Sequence, residues 1–175
     1  MDEATMQDGV PATAGWFVVN ARDARWTHND MRTVCKFGGE GPAHFDDLGI
    51  GLYWIEAGHP MTLYHHEAGQ EDFLVLRGEC VLIIDGEERP LHAWDFIHCP
   101  PQTARTIIAT GAEPALIVAV GARRERGSAR YPVEPATIRY GAGVPDAQTS
   151  ARDHYATFGT PRPGPAPALP DPASG

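Results

Sequence analysis

The chain has 175 residues, 42% of them hydrophobic, and a formal net charge of −9. That length and composition suit one folded domain with a real core. The acidic balance argues against nucleic acid or an anionic membrane as partner, since both need a basic surface.

Residues 1–15 are small and polar. They are expected to be a flexible N-terminus and lack the apolar segment of a secretory signal. No apolar run approaches the ~18 residues needed to span a membrane, so a cytoplasmic location is the default expectation. WFVVN (16–20), MRTVCKF (31–37), GLYWIE (51–56) and PMTLYHH (60–66) read as strands. DFLVLRG (72–78) and ECVLIID (79–85) are richer in branched apolar residues, and Asp85-Gly86 signals a hairpin turn. EERPLHAW (87–94), DFIHCPP (95–101), ARTIIAT (104–110) and PALIVAVG (114–121) complete the set. Strands recurring every ~10–12 residues without an intervening helical pattern predict an antiparallel sandwich or barrel.

Residues 80–84, CVLII, are apolar at every position, so both faces of that strand should be covered, by the N-terminal arm or by a second subunit. A homodimer is the expectation. Three widely spaced cysteines, Cys35, Cys80 and Cys99, offer neither a disulfide framework nor a zinc ribbon. The basic stretch 122–130 reads as a solvated loop. Residues 146–159 hold a short helical segment, with Ser150 and Asp153 approximating a capping box. Residues 160–175 carry six prolines and are expected to form a disordered tail. The folded body then spans 16–145.

The chemistry concentrates in LYHHEAGQE (63–71). Alternate residues of a strand share a face, so His65 goes with Glu67 and Tyr64 with His66. Glu71 joins either set from the next strand. Histidine with carboxylate suits Fe, Mn, Zn or Ni. Neither same-face set holds two histidines, so a fuller site needs a ligand from elsewhere, with His98 the candidate.

These residues resemble the cupin family, over about residues 50–120. Its first motif is Gly, five residues, His-x-His, three or four residues, Glu, six residues, Gly, and Gly58, Glu71 and Gly78 match it. The second is Gly, five residues, Pro-x-Gly, two residues, His, three residues, Asn, and Pro100 matches its proline. WDFIHCPP (94–101) is similar to that of small single-domain bacterial cupins. The resemblance implies an all-β, cupin-type antiparallel β-barrel, or jelly roll, with an N-terminal arm and a site inside.

The metal motifs are degenerate. One register of the first puts Tyr64 and His66 on the histidine positions, the other His65 and Glu67. In the second, Trp94 and Gln102 stand at the glycines, Arg105 at the histidine and Ala109 at the asparagine. Arginine stays protonated and cannot ligate a metal.

The expected activity is a metal-dependent enzyme of oxygenase or isomerase type, acting on a small molecule, with an anionic one suited to Arg105. Its metal ligands are drawn from His65, Glu67, Glu71, His66 and His98. Glu71, Arg105 and Tyr64 are the catalytic candidates, with Arg105 as a clamp for a carboxylate or phosphate. Two alternatives stand beside it: a metal-free isomerase or epimerase with a histidine base and a tyrosine acid, and a non-catalytic small-molecule-binding protein. Each residue also has an ordinary reading: Glu71 paired with an arginine, Glu67 in a turn, His66 facing solvent, His98 satisfied within a sheet, Tyr64 in the core.

Overall fold

A computed structural model describes residues 2–123, 129–146 and 150–171. Parts of the basic stretch (124–128), of the segment before the C-terminal helix (147–149) and of the tail (172–175) therefore lie outside the described residues. Strands β1 (Met6–Gln7) and β2 (Val10–Pro11) form an N-terminal hairpin. Then come β3 (Trp26–His28), β4 (Thr33–Lys36), β5 (Leu48–Ile55), β6 (Glu71–Arg77) and β7 (Cys80–Ile84). They are followed by β8 (Glu87–Leu91), β9 (Phe96–Cys99), β10 (Arg105–Ala109), β11 (Ala115–Ala122) and β12 (Arg162–Gly164). Two short helices, α1 (Pro135–Ile138) and α2 (Ala151–Ala156), precede the last strand.

The strands pair antiparallel into a large sheet, ordered β12-β3-β4-β5-β11-β6-β9, and a small one, β10-β7-β8. Period-2 alternation sets the core. Phe73 and Val75, Ile97 and Cys99, Ile117 and Ala119 point inward from the large sheet, and Cys80, Leu82, Leu91 and Ile107 answer from the small one. The result is the antiparallel all-β architecture that the strand rhythm predicts, arranged as the jelly roll that the resemblance implies. Asp85 and Gly86 make the expected hairpin turn, both with positive φ (46° and 80°).

The apolar run of β7 is explained within one chain. Cys80 and Leu82 face the shared core, while Val81 and Ile83 pack with Tyr64, Ala104, Ile108 and Ala142 on the other side. Both faces are covered without a second subunit, so this run no longer supports a homodimer.

Four local expectations differ from the structure. Residues 1–15, expected to be flexible, hold the β1–β2 hairpin, turned at Asp8-Gly9. Residues 16–20 contribute only an isolated bridge from Trp16 to Glu3, and Val18 is exposed. Residues 60–66 form no regular strand, and Pro60, His65 and His66 make single bridges to Ile108, Arg105 and Arg130. The proline-rich tail is not wholly irregular, since Arg162–Gly164 pairs with β3 at the sheet edge, where proline is tolerated. Beyond it Ala166 and Leu169 pack against the cluster of Trp26, Cys35, Trp54 and Leu116. Among the described residues no helix is long and apolar enough to cross a membrane.

Candidate functional site

One end of the inner space is polar. Glu71 opens β6, Arg105 opens β10, and Gly121 near the end of β11 lies opposite Glu71. On inward-facing β6 and β10 these positions continue the rows of Phe73 and Val75 and of Ile107 and Ala109, so strand parity carries Glu71 and Arg105 to the interior.

Arg105 is almost fully buried. Its Nη2 donates to Glu71 Oε2 in an ion pair that joins the two sheets. Its Nη1 donates to His65 O (3.1 Å) and Thr103 O (3.3 Å), while Nε is buried without a partner among the described residues. The backbones of Arg105 and His65 also bridge, which pins the otherwise irregular 60–66 segment to the barrel.

His65 is buried and oriented from both sides. Its Nδ1 lies 2.7 Å from Leu63 O, which can only accept, so Nδ1–H donates there. Nε2 faces Glu67 Oε1 at 3.4 Å and donates to it when the ring carries its second proton. This hydrogen bond, above all, holds the Glu67 carboxyl below its usual range; burial opposes it, and the charges of His65, Arg105 and Lys36 add to it. Tyr131 stacks on the His65 ring with centroids 5.5 Å apart, and Tyr155 of α2 meets Tyr131 edge-on at 6.0 Å. The two phenols hydrogen-bond, and Tyr155 also accepts from Leu63 N–H at 3.1 Å. Burial raises the pKa of Tyr53, Tyr131 and Tyr155 alike. The Arg32 guanidinium lies 5.2 Å from the Tyr53 ring centre.

A cavity of about 250 Å³ opens onto this cluster, lined by Tyr53, Glu67, Glu71, Lys36 and Arg123 among others. Gly51 and Gly121 bring no side chain into it.

His65, Glu67, Glu71 and Arg105 are thus neighbours, whereas three other candidates lie elsewhere. Tyr64 packs in the outer cluster with Val81 and Ile83, its phenol at the Asp85-Gly86 turn, so it is not placed to act here. His98 is exposed on β9 and pairs with Asp72 at 2.6 Å, the residue directly across the ladder, because Ile97 and Cys99 take the inward positions. His66 pairs its backbone with Arg130, and no ion pair among the described residues links it to Glu71 or Arg105. Arg32, Tyr131 and Tyr155 were not anticipated. They come from before and after the motif region, and no local spacing marks them.

The metal expectation can be tested on the donors. Among the described residues no group of three or more His, Cys, Asp or Glu side chains is arranged to hold a metal ion. Glu71 is engaged by a buried guanidinium, and a divalent ion beside that fixed positive charge would be repelled in a poorly screened interior. The residues present do not fit the expected three-ligand centre.

A family model described as the cupin domain matches residues 51–121. The chain is similar to a sugar phosphate isomerase of Silicibacter pomeroyi, with 26% identity over 54% of this chain and a TM-score of 0.48, and it spans 60% of that protein's length. A polyketide cyclase of Streptomyces resistomycificus is 14% identical, with 74% of this chain and 85% of that one covered and a TM-score of 0.54. A cupin 2 domain-containing protein of Halorhodospira halophila is 21% identical, with 62% and 75% covered and a TM-score of 0.51. These last two likenesses concern the fold. No protein of curated function matches. The backbone agrees with the motif alignment, for Gly58, Gly78, Trp94 and Gln102, at its four glycine positions, all have positive φ (82°, 88°, 77° and 69°). With its matched domain, its jelly-roll fold and this motif geometry, the chain carries a cupin domain over residues 51–121.

Proposed function

We propose that this cupin-domain protein is a metal-independent enzyme that moves a proton on a small oxygenated organic acid, a reaction of isomerase or epimerase type. The observation that carries this reading is the Arg105–Glu71 ion pair, a fixed cation inside the barrel beside a histidine–carboxylate pair.

Glu67 lines the cavity and is kept ionised by His65, so it is the base that takes a carbon-bound proton. The electron pair left on carbon delocalises onto the adjoining carbonyl or carboxyl oxygen. Tyr53 also lines the cavity, and burial keeps its phenol protonated, so it can donate a hydrogen bond to that oxygen as charge develops. Return of the proton to the other face, or to the neighbouring carbon, completes the reaction. Arg105 neutralises Glu71, which lets two carboxylates stand close together while ionised, and it holds His65 through the backbone carbonyl.

The test is solvent exchange. Panels of 2-oxo, 2-hydroxy and sugar acids are incubated with the protein in D₂O and followed by NMR. Deuterium uptake at one carbon, unaffected by EDTA and lost in Glu67→Gln, is expected. Uptake that requires a tightly held transition metal overturns the reading. A ligand that binds without any exchange makes the protein a binding module instead.

A further inference from the structure

Residues 60–66 form no regular strand, yet their backbone is held group by group. Met61 N–H donates to Ile107 O, Tyr64 N–H to Ala142 O and His65 N–H to Arg105 O. Thr62 O accepts from Thr106 Oγ1 at 2.6 Å. Leu63 is fully buried, and its N–H donates instead to a side chain, the phenol oxygen of Tyr155, at 3.1 Å. The carbonyl of the same residue accepts from His65 Nδ1–H at 2.7 Å. Tyr155 thus holds one side of Leu63, and the imidazole is held by the other. A second path reaches the same ring. The Tyr155 hydroxyl hydrogen-bonds that of Tyr131, whose ring stacks on His65. The helix that carries Tyr155 is itself fixed at both ends. Ser150 caps the start of α2, and Asp30 N–H donates to Phe158 O just past its end at 3.0 Å.

We propose that Tyr155 is a positioning residue, which locks the His65 ring through Leu63 on one side and Tyr131 on the other and so aims Nε2 at Glu67. That Glu67 is the base rests on the acid–base reading above; the lock itself does not. A half-turn of an imidazole about its Cβ–Cγ bond exchanges Nδ1 with Cδ2 and Nε2 with Cε1. In His65 it would place carbon against Leu63 O and against Glu67, and both polar contacts would be lost. The Leu63 carbonyl selects the correct face only while Leu63 is held in place. Removing the Tyr155 hydroxyl leaves the buried Leu63 N–H without its acceptor, a costly state that the segment relieves by shifting. Among the described residues that line the cavity Tyr155 is absent, so its effect on the site passes through His65.

NMR of protein labelled with ¹⁵N-histidine tests the lock without turnover. In the wild type the His65 Nδ1–H proton is expected to be visible and slow to exchange with water. Tyr155→Phe keeps the ring and removes only the hydroxyl, and it is expected to speed that exchange about tenfold, as for the loss of one buried hydrogen bond. Tyr131→Leu removes the stacked ring and is expected to act in the same direction, which keeps the test open should the first variant fail to fold. Leu91→Ala opens the shared core on β8 and serves as the control for general loosening, with the His65 proton expected to stay protected. An unprotected Nδ1–H in the wild type, protection that survives both tyrosine variants, or an equal loss in Leu91→Ala overturns the proposal. Loss of protection in Tyr155→Phe with no deuterium uptake by any acid leaves the lock standing and removes only the acid–base reading. Deuterium uptake in the wild type, with His65 equally protected in both tyrosine variants, does the reverse.

Discussion

The Arg105 guanidinium reaches across the inside of the jelly roll to Glu71, so a charge pair bridges β10 of the small sheet and β6 of the large one. The arginine side chain is 3% exposed and the glutamate side chain 21%. Removing one partner therefore strands the other's charge in a poorly solvated place. Glu71→Leu and Arg105→Met are each expected to lower stability by about 3 kcal/mol. The double replacement Glu71→Leu with Arg105→Met is expected to return to within about 1 kcal/mol of the wild type, since it leaves no buried charge. Urea unfolding of the four proteins measures the coupling, and additive effects would show that the pair contributes nothing of its own.

The same arginine is expected to set metal affinity. It stands where the cupin second motif has a histidine, and its charge occupies the space an ion would need. After loading with zinc, nickel or manganese and buffer exchange, the wild type is expected to retain well under one equivalent. Arg105→His removes the fixed charge, frees Glu71 and adds a nitrogen donor near His65 Nε2 and Glu67, so it is expected to retain close to one equivalent of zinc or nickel. Elemental analysis decides this. A stoichiometric metal in the wild type would show that Glu71 exchanges its arginine for the ion.

Trp94 and Gln102 hold left-handed backbone, φ 77° and 69°, without being glycine. Cβ crowding makes that conformation costly for residues with a side chain. The Trp94 ring is largely exposed and forfeits little packing when removed. Trp94→Gly and Gln102→Gly are each expected to stabilise the fold by about 0.5–1 kcal/mol, read as an increase in the denaturation midpoint. Gln102 N–H also donates to Glu67 O at 2.7 Å, so the second replacement should keep the site's geometry as well.

What could be read from the sequence follows the range of the interactions. The β7–β8 hairpin was legible because it is built from a run of branched apolar residues and one turn signal. Strand parity likewise groups His65 with Glu67, but it does not say which face is inside. That depends on the bridge from His65 to Arg105, forty residues away. The tyrosine wall was hidden for the same reason, since Tyr155 meets Leu63 across 92 positions. Tyr64 stands among the catalytic candidates, yet it packs on the outer face of the small sheet and Tyr53 lines the cavity instead. The tail's prolines suggested disorder, but Ala166 and Leu169 find apolar cover beside Trp26 and Trp54 that composition alone does not reveal.

The His65–Glu67 pair sets a pH dependence whose sign can be worked out. The Glu67 carboxyl is held below its ordinary value of 4.5, first by the hydrogen bond from His65. The folded state therefore binds the Glu67 proton less readily than the unfolded chain does. Its contribution to stability is present above the unfolded value and is lost as pH falls through the lower folded value. Glu67→Gln removes this dependence. The variant is expected to be less stable than the wild type at pH 6, and the gap should close as the pH is brought below about 4. Because the Glu67 side chain is 37% exposed, solvent screening keeps the difference small. Denaturation midpoints of the two proteins from pH 3 to pH 7 give the measurement. Parallel curves across that range would show that His65 does not hold the carboxylate in solution.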